Sequence, residues 1–175
     1  MKKIICASAV SALFILACAN TTLACGLKFL VMNGGVSKAQ CFGMAKPGAI
    51  LIYRNSNDAA TEKALGEDFE RTLSAVGHTV RVVDSWEGFE SAIKSDAFDM
   101  VLSGYSATGE MEKALSDAGK MAKIVPVVDK GNKTEVEAAK KRFGKVIKNS
   151  DRTSTKVLTV NEVLVAKEKK KESGI

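Results

Sequence analysis

Ala49-Ile50-Leu51-Ile52-Tyr53 is an uninterrupted apolar run, introduced by Pro47-Gly48 and closed by Arg54-Asn55-Ser56. A run this short, bounded by turn residues and without polar alternation, predicts a strand buried on both faces, as in parallel sheets. Similar runs recur downstream: Thr79 to Val83, Phe98-Asp99-Met100-Val101-Leu102, Ile124 to Val128, and the short Lys145-Val146-Ile147-Lys148. Stretches with helical spacing separate them. The rhythm is βα repetition, which predicts an α/β fold around a parallel sheet.

The helical stretches carry their own punctuation. Asp58 stands where a cap belongs, and Leu65, Phe69, Leu73 and Val76 follow on one inner face before Gly77 supplies a left-handed stop. His78 falls in that turn and is read as a surface residue. Ser85 opens a short helix with Trp86, Phe89 and Ile93 turned inward, and Met111, Leu115 and Ala118 mark another after a Gly- and Ser-rich turn. Thr134 and Glu137 form a capping box for a helix ending near Phe143-Gly144. The segment from Thr153 to about Lys169 is rich in β-branched residues that suit a strand, but the βα rhythm asks for a helix there, and helix is the reading adopted.

Upstream of the first strand the sequence changes character. Met1-Lys2-Lys3, the uncharged apolar stretch Ile4 to Ala19 and the small-x-small pattern Thr22-Leu23-Ala24 predict a cleavable export signal over residues 1–24. The apolar stretch falls short of the roughly 20 residues that cross a bilayer. The expected location is therefore outside the cytoplasm, periplasmic or secreted. Cys25 would be the first mature residue, which leaves a lipid anchor at Cys25 as the alternative to a free protein. Cys25 and Cys41 are the two cysteines beyond the signal; an oxidising compartment favours a disulfide between them, against two unpaired thiols. Residues 25–48 form an N-terminal extension, in which Leu27 to Met32, Asn33-Gly34-Gly35 and Val36 to Met44 make either a further βα unit or an irregular segment. Asn33-Gly34-Gly35 is weighed as a turn rather than a phosphate cradle. Residues 49–169 form a single α/β domain, and 170–175 a short basic tail.

The formal charge of +6 includes Lys2 and Lys3, and the rest is partly concentrated in Lys167-Glu168-Lys169-Lys170-Lys171-Glu172. Such a run is usually a solvated helix end, so no nucleic-acid partner is expected. The chain has one histidine and contains no Gly-x-Ser-x-Gly, Cys-x-x-Cys, Walker loop or His-Glu-x-x-His. Neither a metal nor any other cofactor is expected from these motifs.

Five βα units of this length and order resemble the receiver domain of bacterial response regulators, whose flavodoxin-like sandwich has strand order 2-1-3-4-5. The likeness runs from about Ala49 to Lys169. It rests on Ile50-Leu51-Ile52-Tyr53, Gly77-His78-Thr79-Val80, Phe98-Asp99-Met100-Val101-Leu102-Ser103, Pro126-Val127-Val128, and Lys148 at the end of the fifth strand. The resemblance implies an acidic pair after the first strand holding Mg²⁺ and an aspartate ending the third strand to accept phosphate. Here the acidic-pair positions are Arg54 and Asn55, and the acceptor position is Gly104. Asp99 lies at the wrong end of its strand to substitute. The expectation is a phosphorylation-dead relative of receivers.

In open α/β sheets ligands bind outside the carboxyl ends of the strands. The candidate ligand-binding residues are accordingly Arg54, Asn55, Ser103, Gly104, Tyr105, Asp129, Lys130 and Lys148, with Ser56 and Asn149 beside them. That set is cationic and amide-rich with one carboxylate, and suits a small anion or an acidic group of an envelope protein. A non-enzymatic binding module is the reading adopted. Two alternatives stand beside it: an envelope enzyme with Asp129 as base and Tyr105 or Lys148 as acid, and a residual receiver taking phosphate at Ser103 or elsewhere.

Overall fold

The structure, a computed structural model, describes residues 47–172 apart from 56 and 57. The export signal, the extension, Cys25 and Cys41 lie outside the described residues. Five parallel strands, β1 (Ala49–Tyr53), β2 (Thr79–Val83), β3 (Met100–Gly104), β4 (Lys123–Val128) and β5 (Ile147–Lys148), form one sheet in the order β2-β1-β3-β4-β5. Register is set by backbone pairs such as Leu51↔Arg81, Leu51↔Val101, Leu102↔Val125 and Val128↔Lys148. This is the flavodoxin-like, receiver-like architecture, with strand order as expected.

The alternation of side chains along a strand divides the core between the two faces of the sheet. Ile50, Ile52, Met100, Leu102, Val125 and Val127 face α1 (Ala59–Ala64), α2 (Glu67–Ala75) and α6 (Thr153–Glu172). Leu51, Tyr53, Val83, Val101 and Ile124 face α3 (Trp86–Ser95) and α4 (Thr108–Asp117). A smaller cluster joins Val128 to Val136 and Ala139 of α5 (Lys133–Phe143). Burying each such aliphatic side chain contributes on the order of 1.5–3 kcal/mol, so this two-sided core carries the fold. Val157, Val160, Val163 and Leu164 put α6 into the first of these clusters. Their spacing buries one helical stripe, and tertiary packing overrides their β propensity.

Several local expectations are corrected. The first helical stretch is broken in two at Gly66, whose extended backbone (φ −65, ψ 176) starts α2 afresh. Lys156 of α6, only 5% exposed, donates from Nζ to the Ala64 carbonyl at 2.8 Å and so satisfies an oxygen that the break would otherwise orphan. The third strand lies two residues further on than expected, because Ser103 and Gly104 continue the ladder against Pro126 and Val127. Asp99 precedes it, accepting from the Ala49 amide at 3.0 Å and pairing with Lys167 at 2.9 Å. The cap of α5 is Asn132, not Thr134: its side chain accepts from Glu135 N at 3.1 Å and donates to Glu135 Oε2 at 2.8 Å. The last strand is confined to Ile147–Lys148. His78 is buried rather than a surface turn residue: its Nδ1 accepts from Gly48 N at 3.2 Å and its Nε2 meets Asn161 Oδ1 at 2.9 Å. Gly77 does end the preceding helix with φ +101, a conformation that L side chains rarely adopt.

Candidate functional site

The carboxyl ends of β1, β3, β4 and β5 open on one edge of the sheet, which gathers most of the residues chosen from the sequence. Arg54 extends the β1–β2 ladder by donating its amide to the Val83 carbonyl at 2.9 Å. Its guanidinium turns toward β2, and Nε pairs with Asp84 at 3.1 Å. Arg54 is thereby engaged by a carboxylate of its own chain. Asn55 uses its carbonyl to accept from the Asp58 amide at 2.9 Å, which closes the turn into α1. Ser56 lies outside the described residues.

Asp58 is the group that sequence reading undervalued. As expected of a cap, its Oδ1 accepts from the Thr61 amide at 3.1 Å, and its Oδ2 accepts from the Thr61 hydroxyl at 2.5 Å. The same carboxylate also reaches across to β3. Residues 100, 102 and 104 point to the face that α1 covers, so any side chain at position 104 would grow toward Asp58. A Cβ placed on Gly104 would stand 2.2 Å from Asp58 Oδ2 and 2.6 Å from Thr61 Oγ1, closer than real atoms approach. The space beside Gly104 is filled by a carboxylate borrowed from the β1–α1 turn.

Ser103 is fully buried and donates its hydroxyl to the Gly104 carbonyl at 3.3 Å. Tyr105 begins a short 3-10 turn ending at Ala107 and leaves the crevice. Its ring meets Phe143 edge-on at 6.4 Å, and its carbonyl accepts from the Thr108 hydroxyl at 2.7 Å.

On the far side, the loops after β4 and β5 are clasped together. Asp129 Oδ1 accepts from the Asn149 side-chain amide at 3.0 Å and from Gly131 N at 3.1 Å, while Lys130 N donates to Asn149 Oδ1 at 3.2 Å. Asp129 therefore serves as a strut between two loops, a role that the sequence did not reveal. Lys148 donates its amide to Asp151 Oδ2 at 2.9 Å and sits half-buried beside Val128 in the ladder. Glu135 faces the same region: burial foremost, then the Asp58 and Asp129 carboxylates, hold its carboxyl above the usual value, and the hydrogen bond from Asn132 works against them.

Asp58, Asp84 and Glu135 thus join Asp129, and the crevice holds several carboxylates against Arg54, Lys130 and Lys148. The cationic character read from the linear sequence gives way to a mixed surface. The Mg²⁺ implied by the resemblance lacks a fitting set of donors: among the described residues no three His, Cys, Asp or Glu side chains converge as metal ligands would. Two grooves indent the surface elsewhere, one of about 300 Å³ around Lys156 and one of about 840 Å³ between α3 and α4, and no residue of this crevice lines either. Among the described residues no helix is long and apolar enough to cross a membrane.

A search of family descriptions returned no match. Curated proteins gave no match either. Among solved structures, the chain is similar to the crystal structure of a CheY-like response regulator receiver domain protein from Methanospirillum hungatei JF-1. The two are 17% identical with a TM-score of 0.55, and the match covers 71% of this chain and 99% of that one. At that identity the likeness speaks for the fold alone.

Proposed function

We propose that this chain is a non-phosphorylatable, receiver-like binding module of the bacterial envelope, acting through the crevice at the carboxyl ends of its strands. The observation that carries this reading is the Asp58 carboxylate lodged beside Gly104, within 2.2 Å of where a side chain would begin. The position that accepts phosphate in the receiver pattern has no nucleophile, and the Asp58 carboxylate occupies the space where its side chain would begin. The neighbouring Ser103 is buried and hydrogen-bonded, and the acidic-pair positions hold Arg54 and Asn55.

A site with its own carboxylate built in needs no phosphorylation to adopt one arrangement. A fixed conformation suits recognition rather than switching. The occupant best matched to this surface is an envelope protein: the groups on offer are Lys130, Lys148, Asp129 and Glu135, dispersed over two clasped loops. A small anion is the weaker match, because Arg54 already has Asp84. The envelope assignment rests on the leader-like stretch Met1 to Ala24.

Incubation of the full chain with acetyl phosphate and Mg²⁺, followed by intact-mass measurement, tests the central claim. An unchanged mass is expected; a gain of one phosphoryl group would refute it. Recovery of partners from the native envelope should then fall with Lys130→Ala and Lys148→Ala. If the full set of partners were recovered unchanged by that double variant, the crevice would not be the binding surface.

A further inference from the structure

Where α1 breaks into α2 and α6 begins, the surface is indented by the groove of about 300 Å³, whose walls include Ala64, Phe69, Thr153 and Lys156. Among the described residues Lys156 is the one lysine, arginine, aspartate or glutamate that is buried. A buried ammonium ordinarily needs a carboxylate beside it, because an unpaired charge is costly away from water. None of the described salt bridges includes Lys156. The two acids that line the groove, Glu67 and Asp68, pair with Arg71 instead, at 3.9 and 2.9 Å. The Phe69 ring centroid stands 5.8 Å from Nζ, near the limit at which a ring face still holds a cation, so it offsets little of that cost.

Burial therefore favours the amine over the ammonium, and Asp151 opposes it. The bond to the Ala64 carbonyl does not require a charge: it occupies one N–H, and a neutral amine has two. A neutral amine also carries a lone pair, and desolvation of this kind is what makes a lysine nucleophilic.

We propose that Lys156 is a covalent capture site for a small uncharged aldehyde, held in this groove as a Schiff base. The class of ligand follows from the walls. Lys63, Glu67, Asp68 and Arg71 line the groove and sum to no net charge, so nothing there selects an ionic substituent. In the first step the Nζ lone pair forms a bond to the carbonyl carbon, and one Nζ proton passes to the carbonyl oxygen. The carbon–oxygen bond of that adduct then breaks; hydroxide leaves, takes a proton from solvent to become water, and the nitrogen becomes an iminium. The N–H that remains can stay on the Ala64 carbonyl, so capture leaves the end of α1 satisfied. No residue of the strand-end crevice lines this groove, and the site stands whether or not the proposed function holds.

Propanal with cyanoborohydride tests this on the full chain, since the hydride reduces the iminium to a stable secondary amine and peptide mapping by mass spectrometry then reads each lysine separately. At neutral pH Lys156 should be labelled about fivefold or more faster than the exposed Lys94 and Lys113. The preference should shrink as the pH rises toward the ordinary lysine value, and it should vanish in guanidinium chloride, where burial is gone. Asp151→Asn removes the carboxylate that opposes the amine while its side-chain oxygen can still accept from Lys148 N, and should speed labelling at Lys156 about twofold or more. Glyoxylate in place of propanal should give no greater preference; a greater one would overturn the choice of an uncharged aldehyde. Labelling of Lys156 no faster than of Lys94 and Lys113 in the folded parent would overturn the proposal outright. So would a preference that survives unfolding, or an Asp151→Asn chain labelled no faster at Lys156 than the parent.

Discussion

Asp58 Oδ2 lies 2.2 Å from the point at which a side chain on Gly104 would begin, so a side chain at the end of β3 would have to displace the carboxylate of the turn after β1. The strand needs glycine at 104 not for its backbone angles but because a neighbour has taken the space.

Gly104→Ala should destabilise the fold by about 1–3 kcal/mol, the usual cost of forcing an extra carbon into a packed site. The same substitution in an Asp58→Ala background should cost clearly less, because the closest clash has gone. Urea denaturation of the two single variants and the double variant measures this coupling; strictly additive losses would contradict the contact.

Thr61→Val keeps the shape of the side chain while deleting the hydroxyl that donates to Asp58 at 2.5 Å. A bond to a charged acceptor is worth about 1.5–3 kcal/mol, and a loss in the lower part of that range is expected because the amide of Thr61 still holds Asp58. A denaturation midpoint equal to the parent's would show that this hydroxyl contributes nothing.

Gly48 donates to Nδ1 of His78, so the ring proton sits on Nε2 and is given to Asn161 Oδ1. His78→Leu strands both a backbone amide and an amide oxygen in a buried place. Loss of about 2–3 kcal/mol is expected, and thermal unfolding should begin at lower temperature. Were the variant as stable as the parent, the clasp between β1, β2 and α6 would have no energetic weight.

Burial holds the Lys156 ammonium below its ordinary pKa, with Asp151 pulling the other way. The unfolded chain then retains this proton over a pH range in which the folded chain has lost it. Stability contributed by this residue must therefore rise as the pH climbs from the lowered folded value toward the ordinary lysine value. Lys156→Met removes that gain, so the difference in stability between parent and variant should grow in the parent's favour as the pH approaches the ordinary lysine value from below. Parallel melting curves over that range would refute the assignment.

Glu135 titrates in the opposite sense. Its folded carboxyl holds a proton more tightly than the unfolded one, so its contribution is full below the unfolded value and declines as the pH rises through the folded value. Glu135→Gln should flatten the stability profile just above the ordinary glutamate pKa, with a small effect because the side chain is partly exposed. Melting temperatures of parent and variant at mildly acidic pH test the sign.

The strand cores were legible because an apolar run between turn residues has few other homes. Their ends were less so. Ser103 and Gly104 look like the start of a loop, yet they pair with Pro126 and Val127, since a ladder is made by backbone and tolerates small residues in a central strand. The broken first helix escaped notice for a related reason: its inner residues keep helical spacing across Gly66, and the carbonyl freed by the break is satisfied by Lys156, 92 residues away in the chain. His78 was misplaced because a turn residue next to glycine is commonly exposed, and its two partners come from Gly48 and Asn161.

The crevice was located from the strand order, but its chemistry was not. Arg54 looked like a free cation until Asp84 was found beside it, and Asp129 like a base until it proved to brace Asn149.

Composition and periodicity alone determined that this chain builds a parallel sheet between helices, because buried strands and amphipathic helices write their spacing directly into the sequence. The absence of a carboxylate at residue 104 was equally plain there. Only the tertiary structure decided that another carboxylate fills that vacancy, which charges cancel, and which histidine nitrogen accepts. Those outcomes depend on distances between residues far apart in the chain, and a linear pattern does not carry distances of that kind.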